Sequence, residues 1–455
     1  MLKSINPATD EVIADYEEHS AGQVSDIVER AHERFARWRA MPFAERADLL
    51  NRTADQLESR KEDLARLMAA EMGKPIAGGR GEVEKCAWVC RYYAENAEEF
   101  LADEHIETER SKSYVHYEPI GVVLAVMPWN FPLWQVIRFA APALMAGNTC
   151  VLKHASNVTG CALAIEEIFS AAGLPEGCFS TLVLPGSRVA EVIEHPRIAA
   201  VTLTGSDAAG RAVASKAGEM LKKVVLELGG SDPSIVLEDA DLDAAAASCA
   251  TGRLINSGQS CIAAKRFVVH EAVYDEWLDK FTEQMRATPM GDPMDESTVI
   301  GPMARSDLRD ELHDQVQRSV KAGAKIHIGG DIPSDSTGAF YPPTILTEVS
   351  PGMPAYEEEM FGPVASVIKV GSEEEAIRVA NDTQFGLGAA VYTSDTDRGE
   401  EIAARFVDAG SVFVNAFVAS DPRLPFGGVK TSGYGRELSE MGIKEFVNAK
   451  TVVVA

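Results

Sequence analysis

Seven cysteines occur in 455 residues, and no two of them form a CxxC pair. That scarcity excludes a disulfide framework and a cysteine-ligated zinc site. Cys86 and Cys90 are four apart on a helix-like stretch, but no histidine pair accompanies them. No apolar run approaches the roughly 20 residues that span a bilayer. The longest candidates are interrupted by Gly121, Pro128, Pro142 or Gly147. The first residues lack an apolar signal core and carry acids at Asp10 and Glu11, so a cytoplasmic location is expected. Positive charge is also short: the net charge is −26, a field that repels nucleic acid phosphates and anionic membranes. Neither a GxGxxG fingerprint nor a Walker A lysine is present. The Gly205 to Gly210 spacing is followed by Arg211-Ala212 where a phosphate-binding P-loop has Lys-Ser/Thr. None of the nine histidines lies in an evident catalytic motif, which counts against a thiol hydrolase or acyltransferase built on a Cys–His pair.

What is present reads as a large soluble α/β protein. The length calls for two or three domains. Residues 20–110 show three- and four-residue apolar spacing, clearest over 25–38 and 43–72, with Gly73-Lys74-Pro75 as a stop. Residues 113–118 alternate like a strand. From 121 onward, apolar strands at 122–127, 150–153, 179–184, 199–204 and 224–228 alternate with helical stretches at 159–172 and 187–195. That rhythm implies a parallel, doubly wound sheet. A second α/β cycle starts near Pro233, with strands at 266–269, 365–370, 389–392 and 411–415. A lone strand-like tail over 446–454 must pair, either with the strand at 113–118 or in another subunit. There is no low-complexity linker and no clear internal repeat.

Three segments carry candidate chemistry. Cys261 follows Asn256-Ser257-Gly258-Gln259-Ser260, a small-residue turn that can expose a thiol; thiolate attacks carbonyls, so it needs a base or a positive setting. Glu227 is bracketed by Val225, Leu226 and Leu228, and apolar surroundings raise a carboxyl pKa and make it a useful base. Asn130 lies in Pro128-Trp129-Asn130-Phe131-Pro132, where rigidity would hold its amide as an oxyanion donor. For a cofactor, Gly205-Ser206 ends a strand and Gly210 opens a helix, offering backbone N–H groups to a phosphate. Lys153 and Ser156 follow another strand end.

In this order the motifs resemble those of the NAD(P)-dependent aldehyde dehydrogenase superfamily. The resemblance covers nearly the whole chain: NPAT at 6–9, PWNFP at 128–132, LKHAS at 152–156, TGS at 204–206, LELGG at 226–230, GQSC at 258–261, EEMFGPV at 358–364 and PFGGVKTSGYGRE at 425–437. It implies a Rossmann-type cofactor domain (1–110 and 121–228), an α/β catalytic domain (229–435) and a β-bridge (111–120 and 440–455) joining a homodimer or homotetramer. It implies that Cys261 forms a thiohemiacetal and then a thioester, that Asn130 and the Cys261 N–H hold the oxyanion, and that Glu227 activates the hydrolytic water. Lys153 and Glu359 would meet ribose hydroxyls, Phe361 the nicotinamide, and Trp129 and Ser206 the pyrophosphate. Ser156 departs from the NAD-specific pattern, in which a glutamate repels a 2′-phosphate; NADP is therefore expected, with or without NAD. Within the superfamily the chain is most similar to the shorter succinate-semialdehyde dehydrogenase type, with a broad medium-chain aldehyde dehydrogenase as the alternative and a non-catalytic relative as a remoter one. Arg138, eight residues after Asn130, falls where that type has a substrate-carboxylate arginine. A second arginine, six residues before the nucleophile, is replaced by Ile255, and Arg423 is the expected substitute.

Overall fold

The computed structural model describes residues 1–334 and 337–455. Two largely parallel sheets organise it. The first has six strands in the spatial order Gly433–Tyr434, Lys223–Glu227, Ile198–Thr204, Val122–Met127, Thr149–His154 and Phe179–Thr181; all pairings are parallel except that of Gly433–Tyr434. The central strands are buried along their length, which explains their uninterrupted Val, Leu and Ala runs. The chain builds outward from Val122–Met127 in one direction, then returns to add Ile198–Thr204 on the other side. That reversal is a switch point, and it opens a crevice beyond the carboxyl ends of those two strands.

The second sheet has seven strands in the order Lys325–Ile328, Thr344–Thr347, Val364–Val370, Arg266–His270, Pro233–Val236, Gly388–Tyr392 and Ser411–Val414. Only the pairing of Lys325–Ile328 is antiparallel. Cys261 lies just ahead of its strand Arg266–His270, and Phe361 just ahead of Val364–Val370. The amino ends of these strands thus contribute residues to the crevice at the carboxyl ends of the first sheet.

The tail strand Val447–Val454 pairs antiparallel with Lys112–Pro119 of the same chain, from Val447↔Pro119 to Val454↔Lys112. Glu104–His105 adds a third strand on the other side. Helix Trp134–Ala146 is buried at every position and ends at Gly147, whose φ of 100° favours glycine; a Cβ there would meet Pro119 Cγ at 3.2 Å. The helix expected over 43–72 is two helices, Phe43–Ser59 and Lys61–Met72, divided at Arg60. No proline or glycine marks that division; both parts pack on helix Ile76–Phe100, and the offset lets each follow it. The extended run expected over 179–184 keeps strand pairing only over Phe179–Thr181. The sequence pattern missed an N-terminal hairpin, Leu2–Ile5 with Val12–Tyr16, whose turn is held by Asn6 Oδ1 accepting from Ala8 N at 2.9 Å. No described helix is long and apolar enough to cross a membrane.

Candidate active site

The nucleophile loop is a strained turn clamped from inside. Asn256, Ser257 and Gly258 all have positive φ (54°, 57° and 75°), a run that costs backbone energy unless its surroundings impose it. They do: a Cβ on Gly258 would collide with Gly362. Two buried cations hold the loop carbonyls. Arg253 Nη2 donates to Gly258 O at 2.6 Å, and Lys265 Nζ donates to Ser260 O at 2.7 Å and Cys261 O at 2.6 Å. Asn130 is tied to the same loop. Its Nδ2 donates to Gln259 O at 3.1 Å, while Gln135 Nε2 donates to its Oδ1 at 3.0 Å. These bonds fix which way the amide faces and leave one Nδ2 hydrogen for a ligand. Asn256 Nδ2 also donates to Asn130 O at 2.8 Å. Gln135 and Asn256 were not singled out in the sequence; Gln135 had a signal in its place one turn beyond Asn130 at a helix start.

Cys261 is the one cysteine of the seven that is not buried. It lines two cavities. One, of about 320 Å³, is the switch-point crevice, walled by Pro128, Trp129, Thr204, Gly205, Ser206, Glu359 and Phe361. The other, of about 510 Å³, lies among Phe131, Trp134, Arg138, Ile255, Ile262 and Phe426. The thiol therefore stands where two ligands can meet. Surrounding protein pushes it up to about 12, with the Lys265 and Arg138 cations acting in the opposite direction. The resting group is a thiol, and its alkylation by iodoacetamide should rise about tenfold per pH unit up to about pH 10 without a plateau. Lys265→Met should slow alkylation at any fixed pH. Mass spectrometry of the Cys261 peptide reads both effects, and a plateau near neutrality would show that the loop activates the thiol unaided.

Glu227 ends the first-sheet strand Lys223–Glu227 and is 2% exposed. Neither carboxylate oxygen has a hydrogen-bond partner among the described residues. Burial raises its pKa well above the ordinary carboxyl value, and Glu437 adds to the rise while Arg138 and Arg436 oppose it. The side chain is turned toward Gly427 and does not line either cavity, although its neighbours Leu228 and Gly229 line the crevice. A rotation away from Gly427 would bring the carboxylate toward the crevice.

The crevice suits a dinucleotide. Trp129 and Phe361 meet edge to face at 5.7 Å, forming an aromatic wall for a flat ring. Ser206 caps helix Asp207–Glu219, so the positive end of the helix faces the crevice. Glu359 Oε1 accepts from Gly230 N at 3.0 Å and lies 3.4 Å from Lys265 Nζ, which leaves its other oxygen for ribose hydroxyls. Lys153 is 7% exposed, has no ion-pair partner among the described residues, and its ammonium approaches Gly186. Ser156 starts the turn that follows Lys153. Gly210 is a correction. It lies buried within helix Asp207–Glu219, where a Cβ would meet Leu228 Cδ1 at 2.6 Å, and it does not line the crevice. Its small size serves helix-to-strand packing.

The substrate side also departs from expectation. Arg138 does line the larger cavity, but it is 3% exposed, forms an ion pair with Glu437 and donates to Thr204 Oγ1 at 3.2 Å. Arg423 does not line that cavity. Its guanidinium is exposed and turned to Asp421 of its own loop, with bonds of 2.9 and 2.6 Å. A carboxylate two residues away captures an arginine at lower entropic cost than a distant ligand can.

A thiol shared between a dinucleotide crevice and an apolar cavity defines the class of cofactor-dependent thiol enzymes. Residues 1–452 match the aldehyde dehydrogenase family. A probable NADP(+) succinate-semialdehyde dehydrogenase of Synechocystis sp. is 52% identical over 454 residues, with 100% of both chains covered. The corresponding Mycobacterium avium enzyme is 50% identical over 458 residues, covering 99% of this chain and 96% of its own. The crystal structure of succinic semialdehyde dehydrogenase from Streptococcus pyogenes in complex with NADP+ superposes with a TM-score of 0.97 at 38% identity, with 100% of each chain covered. The chain belongs to the aldehyde dehydrogenase family.

Proposed function

We propose that this protein oxidises succinate semialdehyde to succinate with NADP as the preferred cofactor. The observation that carries the reading is the position of Cys261, open at once to the crevice and to the larger cavity. The curated relatives at 50–52% identity supply the substrate and cofactor. The Cys261 thiol gives up its proton to solvent and its Sγ attacks the aldehyde carbon, and the oxyanion of the thiohemiacetal is met by Asn130 Nδ2 and the Cys261 N–H. When bound, the nicotinamide supplies the hydride acceptor. The thioester left on Cys261 is cleared by water whose proton Glu227 takes. Lys153, Ser156, Ser206, Glu359, Trp129 and Phe361 would hold the cofactor.

Initial rates with a panel of aldehydes, each with NADP and NAD, test the reading through the absorbance of the reduced nicotinamide. Equal kcat/KM for succinate semialdehyde and butanal would replace it with a broad medium-chain activity. Ser156→Glu should raise the KM for NADP on the order of 100-fold by facing a carboxylate to the 2′-phosphate, while NAD is held as well or better. An unchanged NADP KM would remove Ser156 from cofactor choice.

The division into a cofactor unit (1–110 and 121–228), a catalytic unit (229–435) and a bridge (111–120 and 440–455) belongs to the same proposal. Strand Gly433–Tyr434 extends the first sheet, so the end of the catalytic segment reaches back to the cofactor side. Strand Val447–Val454 is an outer strand with Val453 and Val454 exposed, an edge suited to a second copy in a homodimer or homotetramer.

A further inference from the structure

The larger cavity contains a cation that forms an ion pair with no carboxylate among the described residues. Helix Ile76–Phe100 lays Gly78, Gly81, Glu82 and Lys85 along its wall, positions spaced by about one helical turn. Lys74 and Glu82 form a buried ion pair, and Glu82 also accepts from Leu133 N and Trp134 N at 2.8 and 2.9 Å. Arg138 is paired with Glu437. Those charges cancel in pairs. Lys85 remains. Its Nζ donates to Ser420 Oγ at 2.8 Å and lies 4.5 Å from the centre of the Trp134 ring. Among the described residues it has no ion-pair partner, and the nearby Asp421 carboxylate is occupied by Arg423. The rest of the wall is largely apolar: Phe131, Leu254, Ile255, Ile262 and Phe426.

We propose that Lys85, assisted by the Ser420 hydroxyl, is the residue that binds the carboxylate of the aldehyde substrate. This rests on the succinate semialdehyde reading and deepens it. An ammonium with three donors spends one on Ser420 and keeps the others for an anion. In an apolar cavity one uncompensated cation matches one carboxylate, and the arriving charge restores neutrality. Arg138 is held by Glu437 and Thr204 and so is not free to close on the ligand. The cation missing at Ile255 is thus supplied from helix Ile76–Phe100, and not by Arg423. Burial, followed by the nearby Arg138 cation, pushes Lys85 down to about 8, as expected for an ammonium awaiting a counter-ion.

Steady-state kinetics of Lys85→Met with succinate semialdehyde and butanal test this, with NADP saturating. The KM for succinate semialdehyde should rise on the order of 10–100-fold, the loss of a charge-assisted bond, while butanal kinetics stay within about twofold. Butanal turnover also reports that the variant is folded. Succinate should protect Cys261 from alkylation in the unmodified protein and not in Lys85→Met, and butyrate should not discriminate between them. A preference for succinate semialdehyde that survives in Lys85→Met, or equal losses on both aldehydes, would overturn the role of Lys85 and keep the substrate reading. Absence of that preference in the unmodified protein would overturn both.

Discussion

Glu227→Gln should keep a rapid burst of reduced cofactor and lose steady-state turnover by about 100- to 10,000-fold, the usual worth of a positioned general base. The burst persists because thiol attack and hydride departure precede any need for water. Glutamine preserves the shape of the side chain and removes its ability to take a proton. The pH dependence has a definite sign. Burial and the neighbouring Glu437 raise the Glu227 pKa, so its ionised, basic form is lost as pH falls through a value well above that of a free carboxyl. Turnover of the unmodified protein should therefore decline on the acid side earlier than an exposed glutamate would allow, and that limb should vanish in the variant. Stopped-flow absorbance separates burst from turnover. Simultaneous loss of both would place Glu227 in the attack step.

Asn130→Ala should act on the other half of the reaction. Removing an oxyanion donor costs about 100- to 1,000-fold in kcat, and here the burst rate constant itself should fall. The KM for aldehyde should move little, because the bond gains strength only as the oxygen acquires charge. The amide is preset for this by Gln135 on its oxygen and Gln259 O on one of its hydrogens. A burst as fast as that of the unmodified protein would leave Asn130 with only a scaffolding role in the Gln259 loop.

Much of the fold was legible because burial writes itself into local pattern. Val122–Met127 was read with its observed ends, since a strand covered on both faces has no polar alternation to blur them. The tail strand was recognised, and it pairs with Lys112–Pro119 of the same chain, one of its two expected partners. The division at Arg60 was not legible, because both flanking segments share one helical pattern and only packing on a third helix separates them. At the site, Cys261 and Asn130 announced themselves through short runs of constrained residues. Gly210 misled because a glycine near a helix start reads alike whether a phosphate or a leucine approaches it. Arg423 was expected at the substrate cavity, and the structure turns it to Asp421 of its own loop. Charge is visible in sequence but the group it meets in space is not: Arg423 turns to Asp421 two residues away, whereas Lys85 donates to Ser420, 335 residues away.

The late position of Glu437, Phe426 and strand Gly433–Tyr434 has a bearing on biosynthesis. The ribosome delivers Cys261 and the strands around Val122–Met127 long before these closing pieces, and domains fold as they emerge. Strand Gly433–Tyr434 must reach back to Leu226 and Glu227, and the final strand to Lys112–Pro119, pairings of high sequence separation that form slowly. Until then Glu227 lacks the Glu437 neighbour that raises its basicity, and the larger cavity lacks its Phe426 wall. A chain not yet extended past these pieces thus carries the thiol of Cys261 without the neighbours that shape Glu227 and the larger cavity.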